Sequence, residues 1–256
     1  CEFLDVLVCI MEQKETEPTN VTTKVFTFED KNTEESLSVS IPEVLDPQYG
    51  MYVWPCAVVL AQYLWTHRDD LTGRTVLELG AGVSLPGVLA ARCGAQVILT
   101  DSLDKPLCLE NCKRSCEAND LQNITVLGLA WGEVSPDLLL LPKLDIVLGS
   151  DIFYDPVDFE AILVTFVCLL RKNPKAQFWS TYQVRSADWS IEVLLHRWNL
   201  NCVEVPLSQF DADEFELAGS NLPGCHTIQM LIITQKEEAG RATGGSERSI
   251  KPRASD

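Results

Sequence analysis

The chain of 256 residues has no apolar run approaching the ~20 residues that a bilayer-crossing helix needs. Its longest such run, Ala161 to Leu170, has the length of a buried helix, so no membrane partner is expected. Positive charge is scarce: 20 Lys and Arg stand against 37 Asp and Glu, a formal net charge of −17. An excess of this sign repels nucleic-acid phosphates and anionic lipid and draws cationic partners inward. Direct nucleic-acid binding is therefore not expected, and basic proteins with Lys/Arg-rich segments, histone tails among them, are the favoured partners. Histidine is confined to His67, His196 and His226, none inside a motif, so no dedicated imidazole base is in view. The apolar stretch Phe3 to Ile10 has no basic region ahead of it, and no targeting signal is read. No internal repeat is present.

The chain does carry an ordinary globular balance, 46% hydrophobic and 22% charged, and enough length for one domain with short extensions. Ten cysteines are spread through predicted helices and strands, which favours reduced thiols and an intracellular location, cytoplasm or nucleus. Cys108, Cys112 and Cys116 recur at four-residue spacing on one predicted helix face. The outer two are separated by about 12 Å of helical rise, too far to share a zinc at about 2.3 Å, so this face is read as buried thiols rather than as a metal site.

In chain order, residues 1–23 are expected to be flexible, 24–235 to form a single domain, and 236–256 to be a disordered tail. Lys24–Asp30 and Ser36–Ile41 alternate around a turn-prone link and predict a hairpin. Pro55 opens a helix running to about His67. Strands are predicted at 75–79, 96–100, 124–128, 144–149, 176–182, 201–206 and 226–234, with helices at 84–93, 104–118, 157–171 and 187–198. Alternation of this kind predicts an α/β fold with a mostly parallel sheet covered on both faces.

The centre of that pattern is Thr75 to Gly87, a short apolar strand, a glycine turn at Gly80 and Gly82, and a helix from about Ser84. A turn between a parallel strand and a helix is where nucleotide-like ligands bind in open α/β sheets. A hydrolase elbow requires G-x-S-x-G, but Pro86 stands at the last glycine. A dinucleotide fingerprint requires G-x-G-x-x-G, but Leu85 stands at the third, and Glu78 would set a carboxylate near a pyrophosphate. S-adenosylmethionine carries a sulfonium and an ammonium and no phosphate, so a carboxylate at the strand end suits it. Asp101 closes the next strand about 20 residues on, where an acid accepts hydrogen bonds from ribose hydroxyls.

Val76-Leu-Glu-Leu-Gly-Ala-Gly82, Leu99-Thr-Asp101, Ala130-Trp-Gly132 and Asp151-Ile-Phe-Tyr154, with Tyr52-Val-Trp54 ahead of the first long helix, together resemble the family 16 branch of seven-strand methyltransferases. The resemblance covers about residues 20 to 235. It implies a Rossmann-like seven-strand sheet, mostly parallel with an antiparallel last strand, helices on both faces and an N-terminal β-hairpin. It also implies S-adenosyl-L-methionine as cofactor and a protein side chain as methyl acceptor.

By the same resemblance Glu78 lies near the methionine part of the cofactor, Gly80 and Gly82 make room for it, and Asp101 binds the ribose. Trp131 packs near the adenine and Trp54 covers the pocket, while Asp151 and Tyr154 surround the acceptor. Ser84 departs from the wider superfamily, where a third glycine is common. Asp155-Pro156 reads as a helix start. Arg185 either holds the Asp151 loop by a salt bridge or caps a strand end.

Lysine is the acceptor the family suggests. The eight residues between Asp151 and Glu160 also resemble the paired-acid loop of arginine methyltransferases, and both acceptors stay open. The other classes in play are a small-molecule methyltransferase and a cofactor-binding pseudo-enzyme that partners a protein such as a chaperone.

Overall fold

The computed structural model describes residues 21–31, 33–45, 50–186 and 191–236. Two strands, β1 (Val21–Glu29) and β2 (Ser36–Val44), form the antiparallel hairpin. There follow α1 (Pro55–Thr66), the single turn α2 (Arg68–Leu71), β3 (Thr75–Glu78), α3 (Leu85–Arg92), β4 (Gln96–Asp101) and α4 (Pro106–Glu117). The second half adds β5 (Thr125–Gly128), α5 (Pro136–Leu140), β6 (Ile146–Ser150), α6 (Phe159–Lys172), β7 (Gln177–Gln183), α7 (Glu192–Arg197), β8 (Leu200–Val205) and β9 (Ile228–Gln235).

Strands β3 to β9 make one seven-stranded sheet in the order β5-β4-β3-β6-β7-β9-β8. Pairing is parallel from β5 to β7, whereas β9 runs antiparallel between β7 and β8. The expected architecture is therefore present. Strand order reverses between β3 and β6, so a crevice opens at their carboxyl ends.

Alternation along the central strands divides the interior in two, since successive side chains of a strand point to opposite faces. Val76, Leu99, Ile146, Leu148 and Trp179 join one core with α1, α3 and the hairpin residues Phe26, Phe28, Val39 and Ile41. Leu77, Ile98, Val147 and Phe178 join the other with Phe159, Ile162, Leu163 and Phe166 of α6. Both faces being covered explains why these strands read as continuous apolar runs.

Several polar contacts tie the hairpin in. Arg68 pairs with Asp30 (2.7 Å) and Glu35 (2.8 Å) and stacks over Trp65. The Asn119 amide accepts from the Ser40 N–H and donates to the Ser40 carbonyl. Buried Glu43 accepts from the Val53 N–H at 2.8 Å, which sets the chain just ahead of Trp54.

Three expectations need correction. The flexible stretch 1–23 overlaps β1, because the hairpin begins at Val21 and pairs with Val44; residues 1–20 lie outside the described residues. The predicted helix 157–171 begins instead at Phe159, with Asp158 at its N-cap position. Asp155, read as the helix start, closes a local turn onto the Val157 N–H, which satisfies its carboxylate before the helix begins. The predicted helix 187–198 is observed as Glu192–Arg197, with 187–190 and the tail from 237 outside the described residues.

Helix α3 seats closely on the sheet at Gly87, where an added Cβ would stand 2.3 Å from Leu99 Cδ2 and 2.4 Å from Glu78 Oε2. Alanine ordinarily favours a helix interior over glycine by up to about 1 kcal/mol. Overpacking costs about 1–3 kcal/mol and outweighs that gain here. Gly87→Ala is expected to lower the unfolding free energy by about 1 kcal/mol, read by urea denaturation, the difference of the mid-range values of those two effects.

Candidate active site

The crevice holds a cavity of about 560 Å³, large enough for a nucleoside-sized ligand. Trp54, Gly80, Gly82, Asp101 and Trp131 line it, and so do Asp151, Tyr154 and Arg185. Seven of the eight residues expected at the site thus meet around one space. They come from the ends of β3, β4, β5 and β6 and from the entry to α1.

The turn itself is shaped by backbone demands. Gly80 and Gly82 have φ of +60° and +54°. A Cβ on Gly80 would lie 2.9 Å from the Trp131 ring and 3.0 Å from Ile152, and one on Gly82 would lie 3.1 Å from the Gly50 Cα. Ser84 adopts φ +61°, so the position where relatives in the wider superfamily carry glycine does require the left-handed region. Serine meets that requirement at some conformational cost.

Asp101 is buried and holds the turn directly. Its Oδ2 accepts from the Gly82 N–H at 2.8 Å, and its Oδ1 accepts from the Ser102 N–H at 2.8 Å. Burial raises its pKa from the ordinary carboxylate value, while the two backbone donors oppose that rise. Each oxygen accepts one backbone bond and so retains acceptor capacity, and the residue lines the cavity, as a ribose-binding role requires.

Glu78 departs from expectation. Its side chain is fully buried and does not line the cavity. Oε2 turns back to accept from the Gly87 N–H at 3.0 Å, and Oε1 has no hydrogen-bond partner among the described residues. Desolvation pushes its pKa up to about 8, so at neutral pH the group is mostly uncharged. In this position the carboxyl faces the base of α3 and not the cavity where the strand end was expected to present it. It acts instead as an anchor of α3.

Around the rest of the cavity, Trp54 precedes Pro55 in an extended conformation and packs on Tyr52 with ring centroids 5.0 Å apart. Trp131 is held over Gly80 by Gly132, whose N–H donates to Thr165 Oγ1 of α6 at 2.8 Å. Burial raises the Tyr154 phenol, so it stays protonated.

Asp151 sits just past β6 with φ +54° and is almost wholly buried. Arg185 grips it with both terminal nitrogens, at 2.8 Å and 2.5 Å, and also donates to the carbonyl of Gln183 at the end of β7 at 3.3 Å, so it forms the salt bridge and caps the strand end as well. Glu160, by contrast, lies on the surface of α6 paired with Arg197 and takes no part in the cavity, so the paired-acid resemblance fails at that residue.

Among the charged residues that line the cavity, two were not anticipated, Lys105 and Asp158. Each sits at or beside the start of a helix that follows a carboxyl-terminal strand end, and that location was the available signal. Cys108, Cys112 and Cys116 are all buried, with Cys112 Sγ 3.2 Å from the Gly82 carbonyl, as the thiol-lined face predicted. The three histidines lie away from the cavity.

Glu78 makes stability depend on pH with a definite sign. Its folded pKa lies above the unfolded value, so the folded state holds the proton more tightly. The stabilisation is complete below about pH 4.5 and lost as pH rises to about 8. Glu78→Gln is expected to gain melting temperature relative to the parent as pH rises from 5 to 8, with an upper slope of about 1.4 kcal/mol per pH unit. Thermal melts at three pH values check this; parallel curves would show that Glu78 ionises normally. Gly80→Val is expected to weaken S-adenosylmethionine binding by at least about 100-fold through steric intrusion on the turn. Calorimetric titration of the folded variant is the measurement.

Comparison with known proteins matches the geometry. A family model described as lysine methyltransferase matches residues 33–191. A Xenopus laevis protein named histone-arginine methyltransferase METTL23 is 64% identical over 211 residues, 82% of this chain and 90% of that one. A Xenopus tropicalis protein named protein N-lysine methyltransferase METTL21A is 36% identical over 121 residues, 46% of this chain and 54% of that one. Among solved structures, the Thermus thermophilus 16S rRNA methyltransferase RsmC superposes with a TM-score of 0.55 over 88% of this chain and 53% of that one, at 17% identity, a likeness of fold alone. With the family model spanning more than half its length and a relative this similar, the chain belongs to the lysine methyltransferase family and is a protein methyltransferase.

Proposed function

We propose that this methyltransferase transfers a methyl group from S-adenosyl-L-methionine to an arginine side chain of a histone. The observation that carries the reading is that Asp151, whose carboxylate is already arranged to receive a guanidinium through two parallel bonds, lines the same cavity as the glycine turn and Asp101. Bidentate pairing of this kind matches a guanidinium and not an ammonium. The name of the 64% identical relative supports the same acceptor and the same protein class. A net charge of −17 favours encounter with a strongly basic partner.

The residues present fit the cofactor. Gly80 and Gly82 let the turn pack close against Trp131 and Gly50 at the cavity wall, Asp101 offers acceptor oxygens to a ribose, and Trp131 and Trp54 supply aromatic faces. When bound, the cofactor supplies an electrophilic methyl on a sulfonium. What the chain contributes is alignment, since displacement at carbon requires the acceptor nitrogen in line with the bond that breaks. Asp151 orients the guanidinium and concentrates its positive charge away from the reacting nitrogen. Tyr154, a neutral phenol, lines the acceptor path with an aromatic face toward the cation. The proton released as the new N–C bond forms goes to a cavity carboxylate or to solvent, because no histidine reaches the site.

We also propose an intracellular location, in cytoplasm or nucleus. The described cysteines, from Cys56 to Cys225, are all free thiols, which suits a reducing compartment.

Tritiated methyl transfer to purified core histones, followed by amino-acid analysis, tests the acceptor. Methylarginine is expected, and methyllysine alone would overturn the arginine reading. Asp151→Asn is expected to cut transfer by about 100-fold through misplacement of the acceptor. Cofactor affinity, measured by calorimetry, should stay within a few-fold. Parallel loss of both would move Asp151 into the cofactor site.

A further inference from the structure

Arg185 is a residue that the reaction as described leaves without a task. It stands just past β7, on the far side of the cavity mouth from the glycine turn's own strand, and lines the same cavity. Its guanidinium takes both oxygens of Asp151, and one of its nitrogens also reaches the Gln183 carbonyl at 3.3 Å. The Asp151 side chain is 5% exposed and that of Arg185 26% exposed. The remaining positions on Asp151 are themselves partly taken. The Gln183 N–H approaches Oδ1 at 3.4 Å, and the buried Cys56 thiol packs beside the carboxylate. Little acceptor capacity is left for a second guanidinium while Arg185 is in place.

We propose that Arg185 is a specificity-determining residue, an internal guanidinium that occupies the acceptor subsite on Asp151 until the substrate's own arginine takes its place. This rests on the reading of Asp151 as the acceptor-orienting residue. Displacing Arg185 without replacement would strand a buried carboxylate, which is strongly unfavourable. An incoming arginine restores both parallel N–H···O bonds, so the exchange is nearly even. An incoming lysine offers a compact ammonium that cannot replace the fork, so it meets a net cost. Selectivity for arginine then comes from what the acceptor must displace as well as from what it contacts. Arg185 itself is free to withdraw outward, since its side chain reaches solvent while Asp151 does not. Self-occupancy also lowers the apparent affinity for substrate in proportion to the fraction of time the subsite is filled.

The test uses the full chain saturated with S-adenosylhomocysteine. A synthetic arginine-rich peptide and its all-lysine counterpart are titrated against parent, Arg185→Gln and Arg185→Lys, and calorimetry of the cofactor product certifies each fold. For Arg185→Gln, we expect the arginine peptide to bind about 3- to 10-fold tighter, as removal of a mostly filled internal competitor requires. The arginine-over-lysine preference should shrink, Arg185→Lys should fall between, and guanidinium ion should compete with the peptide in the variant while barely affecting the parent. Equal or weaker peptide binding in Arg185→Gln overturns the exchange, as does guanidinium that strengthens binding or restores turnover. Either result would make Arg185 a fixed counter-ion that positions Asp151. Failure of the underlying reading is separately visible, because a parent enzyme that methylates no arginine would fail in the turnover assay whatever the binding titrations give.

Discussion

Two buried carboxyl groups hold the glycine turn and the helix that follows it, and the active site depends on that grip. Asp101, from the end of β4, takes the Gly82 N–H, and Glu78, from the end of β3, takes the Gly87 N–H. A further bond from Thr100 Oγ1 to the Glu78 carbonyl ties the two strand ends together. A turn with several residues at positive φ is not stable by local preference, and these contacts over-determine it. The two acids then divide the work. Asp101 reaches the cavity and stays available to a ligand, whereas Glu78 is sealed beneath and mostly neutral.

The acceptor side follows a different rule. Asp151 is at least as buried as Asp101 but is balanced mainly by Arg185, with only a long contact from the Gln183 N–H, rather than by two close backbone donors. A carboxylate balanced by a flexible cation can exchange that cation for another, while one balanced by backbone cannot. On the proposed reading, the site pairs a rigid donor half with an exchangeable acceptor half. The acidic exterior brings basic partners near without needing to select among them.

Most of the architecture was legible because period-2 apolar patterns and Gly or Pro boundaries are local signals. Val76 and Leu77, Val97 to Leu99 and Ile146 to Leu148 are apolar on both faces, which announces central parallel strands. Helix edges were less legible. The start of α6 moved to Phe159 because Asp155 satisfies itself in a turn, and nothing in the sequence distinguishes that from a helix cap. Glu160 could be counted eight residues from Asp151, but which way a helix turns it depends on where α6 packs. Lys105 and Asp158 reach the cavity because two helix starts converge there, a fact about three-dimensional proximity rather than spacing.

By itself the sequence determined the seven-strand α/β class, the donor turn and the identity of seven cavity residues. Strand periodicity and glycine placement are properties of neighbouring residues along the chain. Only the tertiary structure decided the charge and direction of each acid. Glu78 and Asp101 occupy equivalent strand ends, yet one is turned under α3 into a dry core and the other onto the cavity. The desolvation that separates them is set by what packs above each carboxyl, which no local pattern encodes.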